Sequence, residues 1–239
     1  MSRVLLIKNA NLYDPDPKGI RDILIVDEKV FSVAEHIDPP ELSVPVEVVS
    51  ADGKTVIPGY VDQHVHVIGG GGEAGPYSRT PEVFLSDVTK AGVTTVIGVL
   101  GTDGTGCHPE SLLAKVRGLE TEGISAYMLT ASYEIPLKTM TGDARRDIVL
   151  IDKVLGIGEI ALSDHRSSQP TKDELKRILT QARLGGMLSA KAGVVQFHMG
   201  IGKNGIQMLF DILDETEIPA CHMIPTHVNR APHLFEQAK

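Results

Sequence analysis

The sequence has few aromatic residues, few cysteines and no excess of positive charge. Aromatic side chains make up 4% of its 239 residues, and tryptophan is absent, so we expect an aliphatic core. Lys and Arg number 23 against 31 Asp and Glu, which gives a formal net charge of −8. Because a nucleic-acid-binding surface needs clustered Lys and Arg, we expect no nucleic-acid partner.

The sequence contains only two cysteines and no long apolar run. Cys107 and Cys221 lie far apart and match neither a disulfide framework nor the spacing of a CxxC zinc site. The N-terminal apolar run, Val4–Ile7, is too short for the apolar segment of a signal peptide. No stretch approaches the roughly 20 apolar residues of a membrane helix. We therefore expect a cytoplasmic protein with no membrane partner.

The N-terminal part of the chain is predicted to form a small β domain, residues 1–55, resembling a sandwich. Its β-branched runs predict four strands, at Val4–Lys8, Asp22–Val26, Val30–Ala34 and Val46–Val49. Turn-forming residues separate these runs, at Asp14–Pro17, Asp38–Pro40 and Asp52–Gly53.

From residue 56 to 239 the pattern changes to strands that alternate with amphipathic helices. Apolar runs end at intervals of roughly 30 residues, near His64, Gly98, Thr130, Leu162, His198 and Thr226. Helix starts are predicted after Thr80, His108 and Thr171. This alternation is typical of parallel strands with crossover helices. We predict a (β/α)₈ TIM barrel that is interrupted after about six units, with its C-terminal part missing; an open doubly wound sheet is the alternative.

Histidines at the predicted strand ends suggest a metal site. His64 and His66 lie two residues apart on a strand and therefore point to the same face. His198 and His227 follow later strands, and the carboxyl ends of barrel strands meet at one mouth. A chance HxH pair is the alternative. Glu159 interrupts an apolar run, where burial is costly unless the carboxylate is paired or bound to a metal; otherwise it faces solvent at an edge.

Three other features are candidates for chemistry. The run Gly101–Gly106 is rich in glycine but lacks the order of a phosphate-binding loop, and a βα active-site loop suits it better. Cys107 beside His108 has no orienting partner that would make a thiol nucleophile. His222 is predicted within the wall of the barrel and is the substitute ligand if His227 is not one.

Several motifs resemble one enzyme family. They are the segments 59–66 (GYVDQHVH), 69–73 (GGGGE), 130–134 (TASYE), 163–167 (SDHRS) and 225–230 (PTHVNR). In this order they resemble the isoaspartyl dipeptidases (β-aspartyl peptidases) of the amidohydrolase superfamily. The resemblance covers essentially the whole chain. It implies an amidohydrolase-type barrel with a small β domain, and metal-dependent hydrolysis of the isopeptide bond of β-aspartyl dipeptides.

The resemblance also implies a metal-ligand set for two zinc ions. His64 and His66 would bind the more buried ion, and His198 and His227 the more exposed one. Glu159 stands where the family commonly has a carboxylated lysine that bridges the two metals. A glutamate carboxylate can bridge two cations directly, but its side chain is shorter, so a mononuclear site is the alternative.

Substrate contacts are implied in the same way. Glu73 would hold the α-amino group, and Arg166 and Arg230 would hold carboxylates, because Arg binds carboxylates in a bidentate manner. Tyr133 would donate a hydrogen bond to the developing oxyanion. Gly75 and Thr102 are two further candidate substrate-binding positions. For each arginine, a structural salt bridge is the alternative.

Two other functions remain open at this point. One is hydrolysis of a related cyclic amide or N-acyl amino acid, and the other is a catalytically silent metal-binding protein. The family's aspartate at the eighth strand has no counterpart in the sequence, so we expect weak activity of the 239-residue chain alone. The family resemblance also suggests a homo-oligomer.

Overall fold

The structure is a computed structural model that describes residues 3–239. The chain separates into two compact units, of which the first ends at Gly59 and the second spans Tyr60–Lys239. The division into a β domain, 1–55, and a barrel domain, 56–239, stays a prediction. No helix among the described residues is both long and apolar enough to cross a membrane.

The first unit is built on one five-stranded sheet. Its strands are β1 (Val4–Asp14), β2 (Asp16–Val26), β3 (Lys29–Ala34), β4 (Val46–Ser50) and β5 (Thr55–Val56). The order is β3–β2–β1–β4, and β5 also pairs with β1. The predicted turn at Asp14–Pro17 is wrong in extent, because β1 and β2 continue as a hairpin up to the pair Asp14 and Asp16. Pro17 is tolerated there because it lies at the exposed tip of the hairpin.

The second unit contains a parallel six-stranded sheet that curls into half of a barrel. The strands follow the chain in order across the sheet, and they are β6 (Tyr60–Val65), β7 (Val93–Gly98), β8 (Ser125–Thr130), β9 (Val154–Leu162), β10 (Val194–Met199) and β11 (Met223–Thr226). The helices are α1 (Leu85–Lys90), α2 (Pro109–Glu122), α3 (Ala144–Leu150), α4 (Lys172–Ser189), α5 (Gln207–Glu215) and α6 (Pro232–Ala238). Because all six strands are parallel, their carboxyl ends lie along one edge, where the following loops meet.

Most predicted element boundaries in the second unit are confirmed. Each predicted strand end lies within one residue of the observed end. Helix α2 begins at Pro109, directly after His108. Helix α4 follows Thr171, whose hydroxyl accepts the N–H of Glu174 while the Glu174 carboxylate accepts the Thr171 N–H. This reciprocal capping is what the Thr-x-x-Glu pattern predicts.

Two boundaries differ from the predictions. Helix α1 begins at Leu85 rather than after Thr80, because the Thr80 hydroxyl accepts the N–H of Gly70 at 2.9 Å and belongs to a loop contact. The run that ends at Thr226 was predicted to be strand at His222, but a turn of 3₁₀ helix, Ala220–His222, precedes β11.

The core of the second unit is aliphatic, as its composition predicts. Phe197 is the single aromatic among the largest fully buried side chains of the described chain. Strand β9 is buried along nearly its whole length, so both of its faces pack against protein. An acidic residue in this strand is therefore removed from solvent, and this determines the character of the site described next.

Candidate active site

Glu159 is the centre of a cluster of four histidines. It lies in β9, and its side chain is fully buried, with 0% exposed. Its carboxylate oxygens lie 3.3 Å from Nε2 of His64 and 3.2 Å from Nδ1 of His198. The Nε2 atoms of His66 and His227 each lie 3.7 Å from the carboxylate. The structure therefore brings together all five predicted metal-ligating residues, and the alternative in which Glu159 faces solvent is wrong.

The backbone at two strand ends positions three of these rings. Strand β6 ends at Val65, between His64 and His66, and the centroids of the two rings lie 5.4 Å apart at an angle of 86°. His227 follows β11 and takes a left-handed conformation with φ of 60°. This bend at His227 places its ring centroid 5.0 Å from that of His64. Residues from opposite edges of the curled sheet thus meet at one point.

The ionised form of Glu159 and the neutral form of His66 suit a bound cation. Burial raises the pKa of Glu159, but the nearby imidazoles of His198, His227 and His64 together outweigh burial and hold this pKa well below its usual range. Burial dominates at His66 and lowers its pKa. Burial lowers the pKa of His64, but the interactions with the charged Glu159 carboxylate together raise it more, so this ring would release a proton on binding a metal. An ionised carboxylate and neutral imidazoles are the forms that bind metals.

Unpartnered polar atoms in the cluster fit a metal ion. Both ring nitrogens of His64, Nδ1 of His66 and Oε1 of Glu159 are buried without a hydrogen-bond partner among residues 3–239. Buried polar atoms that lack partners are costly, and a cation bound here would satisfy Nε2 of His64 and Oε1 of Glu159, which lie 3.3 Å apart. Ligand atoms of His64, Glu159 and His227 all lie within 4.8 Å of one another. Nitrogen and oxygen donors in this arrangement suit Zn²⁺ or a similar borderline ion.

His198 differs from the other three histidines of the Glu159 cluster because protein groups surround both of its ring nitrogens. Nδ1 lies 2.5 Å from the Tyr133 hydroxyl as well as near Glu159. Arg166 and Arg230 donate to Nε2 at 2.9 and 3.1 Å. His198 therefore joins the predicted metal ligands to the predicted substrate-binding arginines. Its own role as a ligand stays a prediction.

Arg166 is held by two carboxylates. Its Nε and Nη2 donate to the two oxygens of Asp164 at 2.9 Å each, and its Nη1 donates to Glu73 at 2.9 Å. Hydrogen bonds from Arg166 hold the pKa of Asp164 far below its usual range, and the pKa of Arg166 is raised in turn. Sequence reasoning did not assign Asp164 to the site. Its position two residues before an arginine assigned to carboxylate binding is the signal that was overlooked.

Tyr133 lies in the loop after β8 and is 6% exposed. Burial, together with the nearby charge of Glu159, raises the pKa of its hydroxyl well above the usual value. The guanidinium of Arg166 lies over the ring, 5.4 Å from its centroid. Tyr133 therefore keeps its proton and remains a hydrogen-bond donor, as the predicted role at an oxyanion requires.

The other two predicted substrate positions are not joined to the cluster by hydrogen bonds within residues 3–239. The Oγ1 atom of Thr102 is buried without a partner, as is Oγ of Ser132. Gly75 precedes a short 3₁₀ helix, Pro76–Ser78, where a Cβ atom would lie 3.1 Å from the ring of Tyr77. The substrate-binding roles of Thr102 and Gly75 stay predictions.

Two side chains considered from sequence lie in other environments. His222 is in the 3₁₀ helix before β11, where it contacts Arg183 through Nε2 at 2.9 Å and the Gly193 carbonyl through Nδ1 at 2.8 Å. Its predicted place within a barrel strand is therefore wrong, because the strand begins only at Met223. Cys107 is buried within the hydrophobic core of the second unit.

Comparison with solved structures relates this geometry to known enzymes. A β-aspartyl dipeptidase from Fervidobacterium islandicum AW-1 is 49% identical and superposes with a TM-score of 0.93, over 98% of this chain and 64% of that protein. The structure of this dipeptidase with a β-Asp-Leu dipeptide gives a TM-score of 0.94 over 100% of this chain and 62% of that one.

Curated sequences extend the relationship. The dihydroorotase of Anaeromyxobacter dehalogenans (strain 2CP-C) is 28% identical over 189 residues, which are 78% of this chain and 41% of that enzyme. The chain is therefore similar to enzymes of the amidohydrolase superfamily, and the superposition on the dipeptidase confirms the predicted fold class. No protein-family model matches the chain.

More distant structures share only the fold. The D-hydantoinase of a Thermus species is 21% identical, with a TM-score of 0.57 over 88% of this chain and 43% of that enzyme. The chain thus spans less than two thirds of the length of these dipeptidases and less than half of the dihydroorotase and this hydantoinase.

Proposed function

We propose that this chain hydrolyses the isopeptide bond of β-aspartyl dipeptides with the help of bound zinc. The observation that carries the proposal is the contact between two groups of residues. The Glu159–histidine cluster touches, through His198, the arginines Arg166 and Arg230. The 49% identity to a β-aspartyl dipeptidase that binds β-Asp-Leu supports the same substrate class.

The metal-binding residues in this proposal are His64, His66, His198, His227 and Glu159. When bound, zinc supplies Lewis acidity that polarises the scissile carbonyl. Glu159 has two carboxylate oxygens that face different histidines, since Oε1 lies nearest His64 and Oε2 nearest His198. This supports Glu159 as the ligand shared by two ions, in place of the carboxylated lysine of the family.

The substrate-binding residues match the charges of a β-aspartyl dipeptide. Such a dipeptide carries one ammonium group and two carboxylates. Glu73 offers a carboxylate for the ammonium, and Arg166 and Arg230 offer guanidinium groups for the carboxylates. The protonated Tyr133 donates to the oxygen of the scissile carbonyl as negative charge develops there. Gly75 and Thr102 are proposed as further substrate contacts.

A second candidate function is the hydrolysis of a cyclic amide. The sequence similarity to dihydroorotases favours it, because those relatives match 78% of the chain. A cyclic amide such as dihydroorotate has one carboxylate and no ammonium group. A cyclic amide therefore offers no positive group to pair with the carboxylate of Glu73, whereas the dipeptide does, and this favours the dipeptide as substrate.

A direct assay separates these functions. The purified chain is loaded with zinc, and release of aspartate from β-Asp-Leu is compared with release from α-Asp-Leu and with ring opening of dihydroorotate. We expect hydrolysis of β-Asp-Leu alone. Ring opening without dipeptide hydrolysis would favour the cyclic-amide function, and zinc binding without either reaction would favour a catalytically silent metal-binding protein. A homo-oligomeric state and a cytoplasmic location stay predictions.

A further inference from the structure

The imidazole of His66 lies between two glycines from different loops. A Cβ atom built on Gly70 would lie 3.2 Å from Cγ of His66, and one built on Gly101 would lie 2.6 Å from Cε1 and 3.1 Å from Nδ1. A separation of 2.6 Å is far below the normal contact of about 3.5–4.0 Å between carbon atoms. Only a residue without a side chain fits at position 101 while the ring keeps its orientation.

Hydrogen bonds give little other support to the ring orientation of His66. A metal-binding histidine usually donates its second ring N–H to a carboxylate or carbonyl, and this bond fixes the ring. The buried Nδ1 of His66 has no hydrogen-bond partner within residues 3–239, although the nearby Val99 backbone carbonyl favours the protonated ring and raises its pKa in opposition to burial. Packing against the backbone of Gly70 and Gly101 therefore restrains the His66 ring.

The backbone of Gly101 is itself held in place. Its carbonyl accepts the N–H of Tyr133 at 3.2 Å, which ties the loop after β7 to the loop after β8. Asp103 accepts the N–H groups of Thr105 and Gly106 at 2.9 and 2.7 Å and pairs with Arg79. Gly101 also has a left-handed φ of 75°. The loop that contains Gly101 is thus held rigidly enough to restrict the orientation of the His66 ring.

We propose that Gly101 is a positioning residue that fixes the imidazole of His66 in the orientation that binds metal. The inference rests on the proposed metal-dependent function, because it takes His66 as a ligand. It also accounts for the first glycine of the run Gly101–Gly106, which resembles no phosphate-binding loop. Because position 101 has no side chain, the His66 ring can lie against its backbone. The hydrogen bond from the Tyr133 N–H holds the Gly101 carbonyl in position.

The test compares Gly101→Ala with Gly142→Ala. Gly142 has nearly the same φ, 82° against 75°, but a Cβ atom there would meet nothing within 4 Å. Both variants therefore carry similar backbone strain, and only the first displaces His66. The readouts are the zinc dissociation constant, measured by competition with a chromophoric chelator, and the thermal midpoint of unfolding. We expect Gly101→Ala to weaken zinc binding by tenfold to a hundredfold, as loss of ring-orienting partners typically does. Gly142→Ala should bind zinc like the unsubstituted chain.

A second pair of variants separates steric displacement from general damage. In a His66→Ala background the ring is gone, so adding Gly101→Ala should not weaken zinc binding further. Equal zinc binding by Gly101→Ala and Gly142→Ala would overturn the proposal, and so would an equal loss with and without the His66 ring. If Gly101→Ala does not fold, folding of the double variant supports the contact, and its failure to fold overturns it. If the unsubstituted chain binds no zinc, the proposed function fails instead.

Discussion

Asp164 binds Arg166 through two parallel hydrogen bonds of 2.9 Å, from Nε and Nη2 to its two carboxylate oxygens. A third bond of 2.8 Å runs from the Arg166 N–H to the same carboxylate. The guanidinium is therefore fixed over the ring of Tyr133 before any substrate arrives. Fixed geometry lowers the entropic cost of binding a carboxylate.

Replacing Asp164 should affect substrate binding more than turnover. In Asp164→Asn, Arg166 loses its charged bidentate partner, and we expect KM for β-Asp-Leu to rise by about tenfold, because a charge-assisted hydrogen bond contributes about 1.5–3 kcal/mol. Steady-state kinetics gives KM and kcat separately. The control is Asp173→Asn, whose side chain is 75% exposed. An unchanged KM in Asp164→Asn would mean that substrate binding by Arg166 does not depend on its pairing with Asp164.

Arg230 should also contribute to substrate binding. The only side-chain hydrogen bond of Arg230 within residues 3–239 is to His198, at 3.1 Å, so most of its guanidinium donors remain for a ligand. Arg230→Met should raise KM for β-Asp-Leu at least tenfold, since about 1.4 kcal/mol corresponds to a factor of ten. Arg117→Met is the control, because Arg117 makes only an exposed contact with Asp152. If KM stays the same in Arg230→Met, the arginine is structural.

Sequence patterns predicted the parts of the site that depend on local spacing. The period of two in His64-Val65-His66 places two rings on one face, and a lone acid in an apolar run marks Glu159. Both follow from strand geometry alone. The Asp164–Arg166 pair is local and could have been predicted, but the contact of Asp164 with His198 and that of Gly101 with the ring of His66 join distant segments. No single segment of sequence contains these contacts.

Errors in the fold predictions have the same origin. The pattern Thr80-Pro81 is a good helix start, yet the Thr80 hydroxyl binds the Gly70 backbone across a loop. The apolar run before Thr226 has strand composition, yet His222 bonds to Arg183 of α4 and to the Gly193 carbonyl, and this part of the run forms a 3₁₀ turn. In both cases a tertiary hydrogen bond outweighs local preference.

The pH dependence of stability should include a contribution from Asp22 in the first unit. This carboxyl is 2% exposed, and a hydrogen bond from Lys8 lowers its pKa from 3.8 to about 2. Because the folded pKa is the lower one, the stabilisation is complete above pH 4 and is lost as pH falls towards 2. Urea unfolding from pH 7 to pH 2.5 measures it.

Substitution isolates this effect. In Asp22→Asn, stability should be lower at pH 7 and should depend less on pH below 4. The control is Asp38→Asn, whose side chain is 91% exposed and should leave the profile unchanged. Identical pH profiles for the unsubstituted chain and Asp22→Asn would contradict the assignment.

The capping box of α4 should stabilise the second unit. Thr171→Ala removes the hydroxyl that accepts the Glu174 N–H, and N-cap losses typically cost about 1 kcal/mol. Chemical denaturation measures the change in free energy of unfolding. Thr180→Ala is the control, because Thr180 lies within α4 and its hydroxyl bonds only to the Lys176 carbonyl one turn earlier. Equal losses in the two variants would argue against a specific cap.

Zinc binding by Glu159→Gln tests the metal centre most directly. Glutamine keeps the shape of the side chain but removes the negative charge that faces His64, His66, His198 and His227. The zinc dissociation constant is measured for the unsubstituted chain and for Glu159→Gln under the same conditions, with circular dichroism to confirm that both are folded. We predict that the unsubstituted chain binds zinc and that the variant binds it at least a hundredfold more weakly. Equal affinity of two folded proteins, or no zinc binding by the unsubstituted chain, would contradict a metal centre built on Glu159.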